Sequence, residues 1–237
     1  MTSTTAPPAD SRVARIRETF RELGCAQLRD AAPDYVEVLA WPLVSRTPGR
    51  HLAGPVYPVA TANDMLPVLQ ALDAAAPGDV LLATNTAEYS EALAGDVLST
   101  AAVAQGLGGL VVHGAVRDLG FIAELRLPVF STEVNIISAK TAQVPAAELP
   151  MTVTVPVVGP DNSPRPLELS PGDWLFGDDD AVVAVRADRV SPVLNAARLL
   201  RSQEERLRDA VRGGVRLSEA CGLHDYLAGR GPLKMDV

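Results

Sequence analysis

Three short apolar runs, separated by segments of helical character, most strongly constrain how this chain can fold. The runs are VLLAT (80–84), LVV (110–112) and LPVF (127–130). VLSTAAVAQ, a good helix former, lies between the first two runs, and a short helix over 119–124 is expected between the last two. Continuous apolar runs of this length are typical of buried strands, and Gly114 is expected to begin the turn after LVV. The alternating order of strands and helices predicts a layered α/β core.

The segments before this core predict further helices and one unusual strand. VARIRETFRELGCAQLRD (13–30) has apolar residues at helical spacing, interrupted at Gly24. AGPVYPVATA (53–62) alternates but contains two prolines, which favours an irregular or edge strand. MLPVLQALDAAA (65–76) has helical spacing and ends before a Pro-Gly-Asp turn.

Beyond the core, the pattern changes to short strands separated by Pro, Gly and Asp turns. MTVTVPVV (151–158), DWLFGD (173–178) and AVVAV (181–185) predict a β-rich layer. Residues 188–212 predict a charged amphipathic helix that is polar enough to lie across a neighbouring subunit. The segment LSEACGLHDYLAGRGPL (217–233) predicts another helix that ends in Gly and Pro.

The chain of 237 residues suits one large domain with appendages. Residues 1–12 begin with a run composed mostly of Thr, Ala, Pro and Ser. This composition predicts a flexible tail. Residues 13–187 are expected to form the α/β/β domain. Residues 188–237 are expected to form C-terminal helices at a subunit interface.

Charge and cysteine content argue against several classes of function. The 21 basic and 29 acidic residues give a net charge of −8, which argues against non-specific nucleic-acid binding. Cys25 and Cys221 form neither a zinc-ligand pattern nor a disulfide framework, as is typical of a reducing compartment. No apolar run is long enough to span a membrane, and MTSTTAPPADS lacks the layout of a signal peptide. We therefore expect a cytoplasmic protein with neither a nucleic-acid nor a membrane partner.

Charged residues lie at both ends of the segment from Gly95 to Asp118, which contains the second apolar run. Taken singly, Asp96 is an ordinary N-cap, and Arg117 with Asp118 is an ordinary surface pair. Taken together, they are expected at the carboxyl edge of the sheet, where open α/β sheets bind ligands. The free amides of Val97 and Leu98 suit a carboxylate. Arg117 offers a planar fork for a carboxylate or an enolate oxygen, and Asp118 can hold a hard divalent cation. A small 2-oxo acid requires these groups.

The chain resembles the class II pyruvate aldolases typified by 4-hydroxy-4-methyl-2-oxoglutarate aldolase. That family, called RraA-like, also includes regulators of ribonuclease E activity. The resemblance runs from about residue 20 to residue 227. It is carried, in order, by AGPVYPV, PGDVLLAT, TAEYSEALAGDVLSTAAVAQG, GAVRD, LPVF, PGDWLFGDDDAVVAV and the C-terminal charged helix. It implies a swivelling β/β/α sandwich that assembles as a homotrimer, or as a homohexamer made of two trimers.

The resemblance also implies a role for each residue of the candidate site. Asp118 matches the direct protein ligand of an Mg²⁺ or Mn²⁺ ion, whose other ligands are waters and substrate. Arg117 matches a residue that contacts the pyruvyl carbonyl oxygen, and Asp96 matches an acid that orients metal-bound water. The substrate-binding backbone, which holds the pyruvyl carboxylate, matches Gly95, Val97 and Leu98.

In the family, a glutamate from the C-terminal helix of the adjacent subunit completes the site. Gapless counting from the DDD segment (178–180) places this glutamate at Glu204, with Glu205 as the alternative. The DDD segment itself matches a turn between strands rather than a metal site. His113 is expected to be a core histidine or one that supports the site.

Two segments depart from the family pattern and are expected near the pocket. They are STEVNIISAK (131–140) and GPDNSPRPLEL (159–169). Because both can alter the pocket, the substrate specificity of the family's type enzyme is not carried over to this chain.

The first functional hypothesis is a metal-dependent carbon–carbon lyase. It would cleave a 4-hydroxy-2-oxo acid to pyruvate and a carbonyl product, with oxaloacetate decarboxylation as a side activity. The main alternative is a non-catalytic protein that regulates ribonuclease E by binding it. A third hypothesis, suggested by the altered segment 131–140, is recruitment to a biosynthetic pathway that uses another keto acid. The set of Asp96, Arg117 and Asp118 favours the enzyme, because a purely regulatory protein does not need it.

Overall fold

A mixed sheet forms the centre of the molecule. The computed structural model describes residues 11–142 and 148–234. The strands are β1 (Val36–Val38), β2 (Val44–Ser45), β3 (Leu52–Thr61), β4 (Val80–Asn85), β5 (Ala92–Ala94), β6 (Gly109–Val116), β7 (Val129–Val134), β8 (Val153–Val158), β9 (Pro164–Leu169), β10 (Trp174–Gly177) and β11 (Val182–Val185). The helices are α1 (Ser11–Arg21), α2 (Cys25–Ala31), α3 (Met65–Ala74), α4 (Asp96–Ala104), α5 (Leu119–Glu124), α6 (Val190–Arg212), α7 (Leu217–Ala220) and α8 (Leu223–Leu227).

The strand order confirms the predicted α/β class. The main sheet runs β1-β11-β10-β3-β4-β6-β7-β2, with β5 paired to β6. Strands β3, β4, β6 and β7 are parallel neighbours, and α3, α4 and α5 lie in the connections between them. Strands β8 and β9 form a separate antiparallel hairpin. The result is a helix layer, a sheet and a β-rich layer.

Strand β4 shows how the sequence builds these layers. All six of its residues are buried, as its unbroken apolar run predicts. Leu81 and Ala83 pack in the cluster that includes residues of α3, α4 and α5. Val80 and Leu82 point the other way and share a cluster with residues of β8. The sheet therefore has an apolar core on each of its faces.

Strand β3 is central rather than an edge strand, which corrects the expectation for residues 53–62. Its first half pairs with β10 and its second half, from Val56 onward, pairs with β4. The N–H groups of Val56 and Ala60 point away from β4. The nitrogen of Pro58, which lies between them in the strand, points to the same side, and β10 pairs only with residues before Val56. Pro55 faces the β4 side, just before the pairing with β4 begins. Each proline therefore lies where its missing N–H removes no ladder hydrogen bond.

Strand β6 extends beyond the predicted LVV run, so Gly114 does not begin a turn. Gly114 has a φ of 147° and lies where the pairing of β6 with β7 shifts register, between Val112 and Ala115. Its N–H donates to Thr132 Oγ1 at 2.9 Å. This irregularity is a bulge within the strand, and the turn comes only after Val116. Strand β7 is also displaced, because it starts at Val129 and ends at Val134 rather than covering 127–130.

The terminal segments differ in detail from the predicted ones. Helix α1 begins at Ser11, inside the segment assigned to the tail, and residues 1–10 and 235–237 lie outside the described residues. The interruption at Gly24 is confirmed, since it separates α1 from α2. The expected single helix over 217–233 is instead two short helices, because Gly222 adopts a φ of 72° between α7 and α8.

Helix α6 confirms the predicted charged amphipathic helix and has two unlike halves. Its first half packs along α2 and buries Val190, Val193, Leu194, Ala197 and Leu200. In its second half, from residue 201 to residue 212, every described residue is exposed or only partly buried. The first half therefore belongs to the core, and the second half is available for other contacts. Among the described residues, no helix combines the length and the hydropathy needed to cross a membrane.

Candidate active site

The three charged residues singled out from the sequence meet at the carboxyl end of the parallel strands. Asp96 is the first residue of α4, and Arg117 and Asp118 follow the last residue of β6. The Asp96 N–H donates to Asp118 Oδ2 at 3.3 Å. Arg117 Nε lies 3.3 Å from the same oxygen, and the Arg117 N–H donates to Ala94 O at 3.0 Å. The start of α4 and the end of β6 are thus joined through one carboxylate.

Gly95 allows this close approach. A Cβ atom at Gly95 would lie 2.5 Å from Asp118 Oδ2 and 3.2 Å from Arg117 Cγ. Any larger residue would therefore push the charged pair away. Gly95 is also the N-cap of α4, which corrects the expectation that Asp96 occupies that position. The Asp96 side chain instead accepts the Val97 N–H at 2.8 Å.

Asp118 adopts a backbone conformation that is uncommon for a residue other than glycine. Its φ is 61° and its ψ is 38°, in the left-handed region. Its carbonyl accepts the N–H groups of Phe121 and Ile122, which starts α5. About a third of its side chain is exposed, and Oδ1 accepts no hydrogen bond within the described residues. Such strained residues cluster at functional sites, and this one presents a free carboxylate oxygen.

The backbone amides expected to bind a carboxylate are not equivalent. The Val97 N–H is already bonded to Asp96 Oδ1, so it is free for a ligand only if that side chain moves. The Leu98 N–H has no acceptor within the described part of the chain. The Ser99 N–H donates to Gly95 O and continues the helix. Within the described residues, the first turn of α4 therefore offers one free amide, that of Leu98, and a second amide, that of Val97, which Asp96 occupies.

A polar network that the sequence reasoning missed supports the loop beside these residues. Asn85 Nδ2 donates to Asn63 Oδ1 at 2.7 Å and to Ser90 Oγ at 3.3 Å. Ser90 Oγ accepts the Ala115 N–H at 2.7 Å, next to the bulge in β6. The available signal was Asn85, a polar residue that directly follows the apolar run VLLAT. In the structure it is the last residue of β4 and is buried.

The two segments that depart from the family pattern lie in different places. In segment 131–140, the Asn135 N–H donates to Val116 O at 3.1 Å, one residue before Arg117. Asn135 Nδ2 also donates to Ser90 O at 2.8 Å. Segment 159–169 instead forms the turn and second strand of the β8–β9 hairpin, which contacts β1. The structure thus connects the first segment, but not the second, to the candidate site through described contacts.

Glu204 does not meet the other site residues within its own chain. Its carboxylate accepts a hydrogen bond from Gln27 Nε2 at 3.0 Å and pairs with Arg208 at 3.2 Å. Glu205 pairs with Arg201 at 3.1 Å. Both glutamates lie on the second half of α6, and Glu204 faces the first turn of α2.

The first turn of α2 lies at the far end of the sheet from the candidate site. The Cys25 N–H donates to Asp178 Oδ2, and Asp178 follows β10, whose residue Gly177 pairs with Leu52 at the start of β3. Arg117 follows the last residue of β6. Because β6 is parallel to β4, and β4 is parallel to β3, Arg117 lies beyond the last residue of β3. The ten residues of β3 span roughly 30 Å. Glu204 and Arg117 of one chain are therefore at opposite ends of the sheet.

The contacts of His113, the DDD segment and Cys25 indicate structural roles. The His113 ring stacks on Trp41 with centroids 4.2 Å apart, and burial lowers the pKa of His113, opposed by the charge of Glu133. Asp178 is buried and accepts the N–H groups of Cys25, Asp180 and Ala181, so the DDD segment forms the predicted turn. Burial, with Asp178 beside it, raises the pKa of the Cys25 thiol far above its usual range, which favours the protonated thiol over the thiolate.

The donor set suits a hard cation that keeps most of its waters. Within residues 11–142 and 148–234, no group of three or more His, Cys, Asp or Glu side chains could hold a metal. Asp118 Oδ2 nevertheless accepts the backbone N–H of Asp96, the first residue of α4, and Asp118 Oδ1 accepts no hydrogen bond from the described residues. Mg²⁺ is bound in this way, through one or two carboxylates with water and substrate completing its shell. A closed zinc site would need more protein ligands than this chain supplies here.

Comparison with known proteins places the chain among proteins with this fold. The model of the RraA-like family, described as Aldolase/RraA, matches residues 26–184. Protein DlpA of Legionella pneumophila is 31% identical over 142 residues, which cover 60% of this chain and 21% of DlpA. A protein of Halalkalibacterium halodurans, provisionally named 4-hydroxy-4-methyl-2-oxoglutarate aldolase, is 29% identical over 69% of this chain and 73% of its own length. The chain thus spans about a fifth of DlpA.

A solved structure shows the same fold. The RNA-processing inhibitor RraA of Thermus thermophilus superposes with a TM-score of 0.56 at 24% sequence identity. The superposition covers 68% of this chain and 91% of that one. The proteins that this chain is similar to, in sequence or in fold, therefore carry names from two functional classes, aldolase and inhibitor of RNA processing.

Proposed function

The chain belongs to the RraA-like family, and on this basis we propose that it is a divalent-metal-dependent carbon–carbon lyase. It cleaves a 4-hydroxy-2-oxo acid to pyruvate and a carbonyl product. The observation that carries the proposal is the convergence of Asp96, Arg117 and Asp118 at the carboxyl end of the sheet, made possible by Gly95. A relative of the same family that is named as an aldolase supports the reaction class.

Substrate binding is assigned to the first turn of α4 and to Arg117. The free N–H of Leu98 and the positive end of the helix attract the carboxylate of the 2-oxo acid. Arg117 Nε is already directed at Asp118, so its two terminal nitrogens face the remaining side. In this arrangement the guanidinium donates to the keto oxygen next to the carboxylate.

Cleavage breaks the bond between C3 and C4 of the substrate. A base removes the proton of the 4-hydroxyl, C4 becomes the carbonyl of one product, and the bonding electrons form a pyruvate enolate. Arg117 stabilises the negative charge that develops on the enolate oxygen, so its contribution is made mainly in the transition state. Protonation at C3 then gives pyruvate. Oxaloacetate that loses carbon dioxide forms the same enolate, so decarboxylation is an expected side activity.

Asp118 would hold the divalent cation, and Asp96 would orient water beside it. When it is bound, the cation supplies Lewis-acid polarisation of the keto group. Asp118 Oδ1 is the free oxygen available to such an ion, while Oδ2 is held by the Asp96 N–H and Arg117. The left-handed backbone of Asp118 fixes this orientation. Asp96 would accept a proton or a water hydrogen beside the reacting carbon.

We also propose that each site is completed by a neighbouring subunit in a homotrimer, or in a dimer of trimers. Glu204 lies at the opposite end of its own sheet from Arg117, so it can reach such a site only in another copy. The second half of α6 carries it and buries none of its described residues in its own chain. A cyclic trimer permits this, because a head-to-tail contact repeats and closes.

A screen of 2-oxo acids tests the proposed reaction. The purified protein is incubated with 4-hydroxy-2-oxo acids and with oxaloacetate, in added magnesium or manganese, and pyruvate release is measured. At least one substrate should give a turnover that depends on Arg117. Failure of every substrate with a folded, oligomeric protein would contradict the proposal.

The second candidate is an inhibitor of an RNA-processing enzyme. It is favoured by the shared fold with the inhibitor RraA and by the net charge of −8, which suits a basic protein surface. A pull-down with ribonuclease E distinguishes the two. Binding without any pyruvate release would favour this candidate over the lyase.

A further inference from the structure

A basic cavity lies between α1 and the loops that precede β3, β6 and β7. Its volume is about 330 Å³. Its wall includes Arg17, Arg21, Arg50, His51 and Arg126. None of the described residues that line it is acidic, although the chain as a whole carries a net charge of −8. This concentration of positive charge has no part in the proposed lyase chemistry.

The cavity is separate from the candidate active site. Gly108 and Pro128 line it, and they precede β6 and β7. Arg117 and Asp118 follow the other end of β6. The eight residues of β6 span about 25 Å, so a ligand in the cavity cannot touch the candidate active site of the same chain.

Arg17 is held in place for binding. Its Nε donates to Ala53 O at 2.7 Å and its Nη2 donates to Gly78 O at 3.2 Å. A guanidinium has five N–H donors, so about three of them remain for a ligand. Burial, and then the charge of Arg21, lower the pKa of Arg17, and the negative charge of a bound anion would oppose this lowering.

Two of the other arginines contribute charge that no described carboxylate neutralises. Within the described residues, Arg50 and Arg126 have no carboxylate partner. Arg21 does have one, because it pairs with Glu18 at 2.9 Å. Two further acids lie nearby. Asp179 accepts the N–H of Gly49, and Asp79 acts on Arg17 through its charge.

We propose that this cavity binds the phosphate group of a small phosphorylated ligand. A carboxylate is satisfied by one guanidinium fork, whereas a tetrahedral dianion accepts hydrogen bonds from several directions, as Arg17, Arg50 and Arg126 supply. The volume is that of a small-molecule site. His51, whose ring lies edge-on to Phe20 with centroids 5.5 Å apart, provides a flat wall for the organic part of the ligand.

Calorimetric titration tests the proposal with two probes, inorganic phosphate and glycerol 3-phosphate, at constant ionic strength set with chloride. The wild-type protein should bind at least one of them with a saturable isotherm. The double variant Arg50→Gln/Arg126→Gln should bind at least about tenfold more weakly, since two charged donors are lost. Arg15→Gln, which changes an exposed arginine of α1 outside the cavity, should bind within about twofold of the wild type.

Two further measurements locate the phosphate-binding site. Arg117→Ala should bind the probe as the wild type does, because its arginine lies at the other end of the sheet. In the wild-type protein, the probe should also protect Arg50 and Arg126 from an arginine-selective dicarbonyl reagent, as read by mass spectrometry. Stronger binding of glycerol 3-phosphate than of phosphate indicates an organic ligand, and the reverse indicates free phosphate. Absence of saturable binding, unchanged affinity in the double variant, or protection of Arg117 alone would overturn the proposal.

Discussion

Oδ2 of Asp118 lies 3.3 Å from Nε of Arg117. The same oxygen accepts the N–H of Asp96, so this one atom joins the start of α4 to the end of β6. The other oxygen, Oδ1, is left available. The two residues are neighbours in the chain, but their geometry depends on a third residue, Gly95, which supplies the space.

Gly95→Ala should abolish most of the activity and leave the fold intact. The added Cβ would lie 2.5 Å from Asp118 Oδ2, so the carboxylate and Arg117 must move. A displacement of about 1 Å at a reacting group costs on the order of a hundredfold in rate. Pyruvate release and the melting temperature measure the two effects.

The matched control for that substitution is Gly120→Ala. Gly120 lies in α5, where an added Cβ meets no atom within 4 Å. This variant should retain wild-type activity, and alanine in a helix should stabilise it slightly. Equal activity in Gly95→Ala and Gly120→Ala would contradict the assigned role of Gly95.

Arg117→Lys should lower turnover by about a hundredfold, because lysine keeps the charge and loses the planar fork. One strong transition-state contact is worth about 3 kcal/mol. The variant should fold normally, since its side chain is partly exposed. Steady-state rates of pyruvate release test this expectation. A lysine variant as fast as the wild type would remove Arg117 from the mechanism.

Mixing two inactive variants tests whether the site is shared. Arg117→Ala subunits and Glu204→Ala subunits should each be inactive alone. After subunit exchange, some sites should contain both intact residues, and pyruvate release should return. Glu205→Ala, which removes the neighbouring acid, should remain active by itself. Mixed oligomers, verified by mass spectrometry, that stay inactive would show that Glu204 does not act across subunits.

His113 should make the protein less stable as the pH falls. Burial lowers its pKa below the ordinary value of 6.5, so between those two values the unfolded chain binds more protons than the folded one. The free energy of unfolding therefore decreases with falling pH in that window. His113→Phe keeps a ring against Trp41 and removes the titration. Urea unfolding at about pH 7.5 and about pH 5.5 should show a larger loss in the wild type than in the variant. An equal loss in both proteins would contradict the effect.

The sequence predicted the parts of the fold that depend on local pattern. The apolar run at the start of β4 and the amphipathic spacing of α6 are visible in consecutive residues, and both elements are present. The position of β3 was not predictable in this way, because its prolines are tolerated only through the particular strands beside it. The break at Gly222 was missed because a single glycine in a helical pattern does not by itself specify a left-handed backbone.

The candidate site likewise has residues that the sequence pattern predicts and residues that it does not predict. The sequence allowed the choice of Asp96, Arg117 and Asp118. Asp96 begins a helix, and the other two residues follow a strand, at the same carboxyl edge of the predicted sheet. The need for glycine at Gly95 and the network around Asn85 depend on contacts between distant segments, which no local pattern contains. The role proposed for Glu204 requires another copy of the chain, so neither the sequence pattern nor the fold of one chain contains it.

Chelation and metal replacement, compared between the wild type and Asp118→Ala, test the central proposal most directly. Pyruvate release by the wild type should disappear in EDTA and return when magnesium or manganese is added in excess. Asp118→Ala should fold, remain inactive at any metal concentration, and give no such recovery, because the free carboxylate oxygen is gone. A wild-type rate that is unaffected by chelation, or an Asp118→Ala protein that responds to metal as the wild type does, would contradict the account.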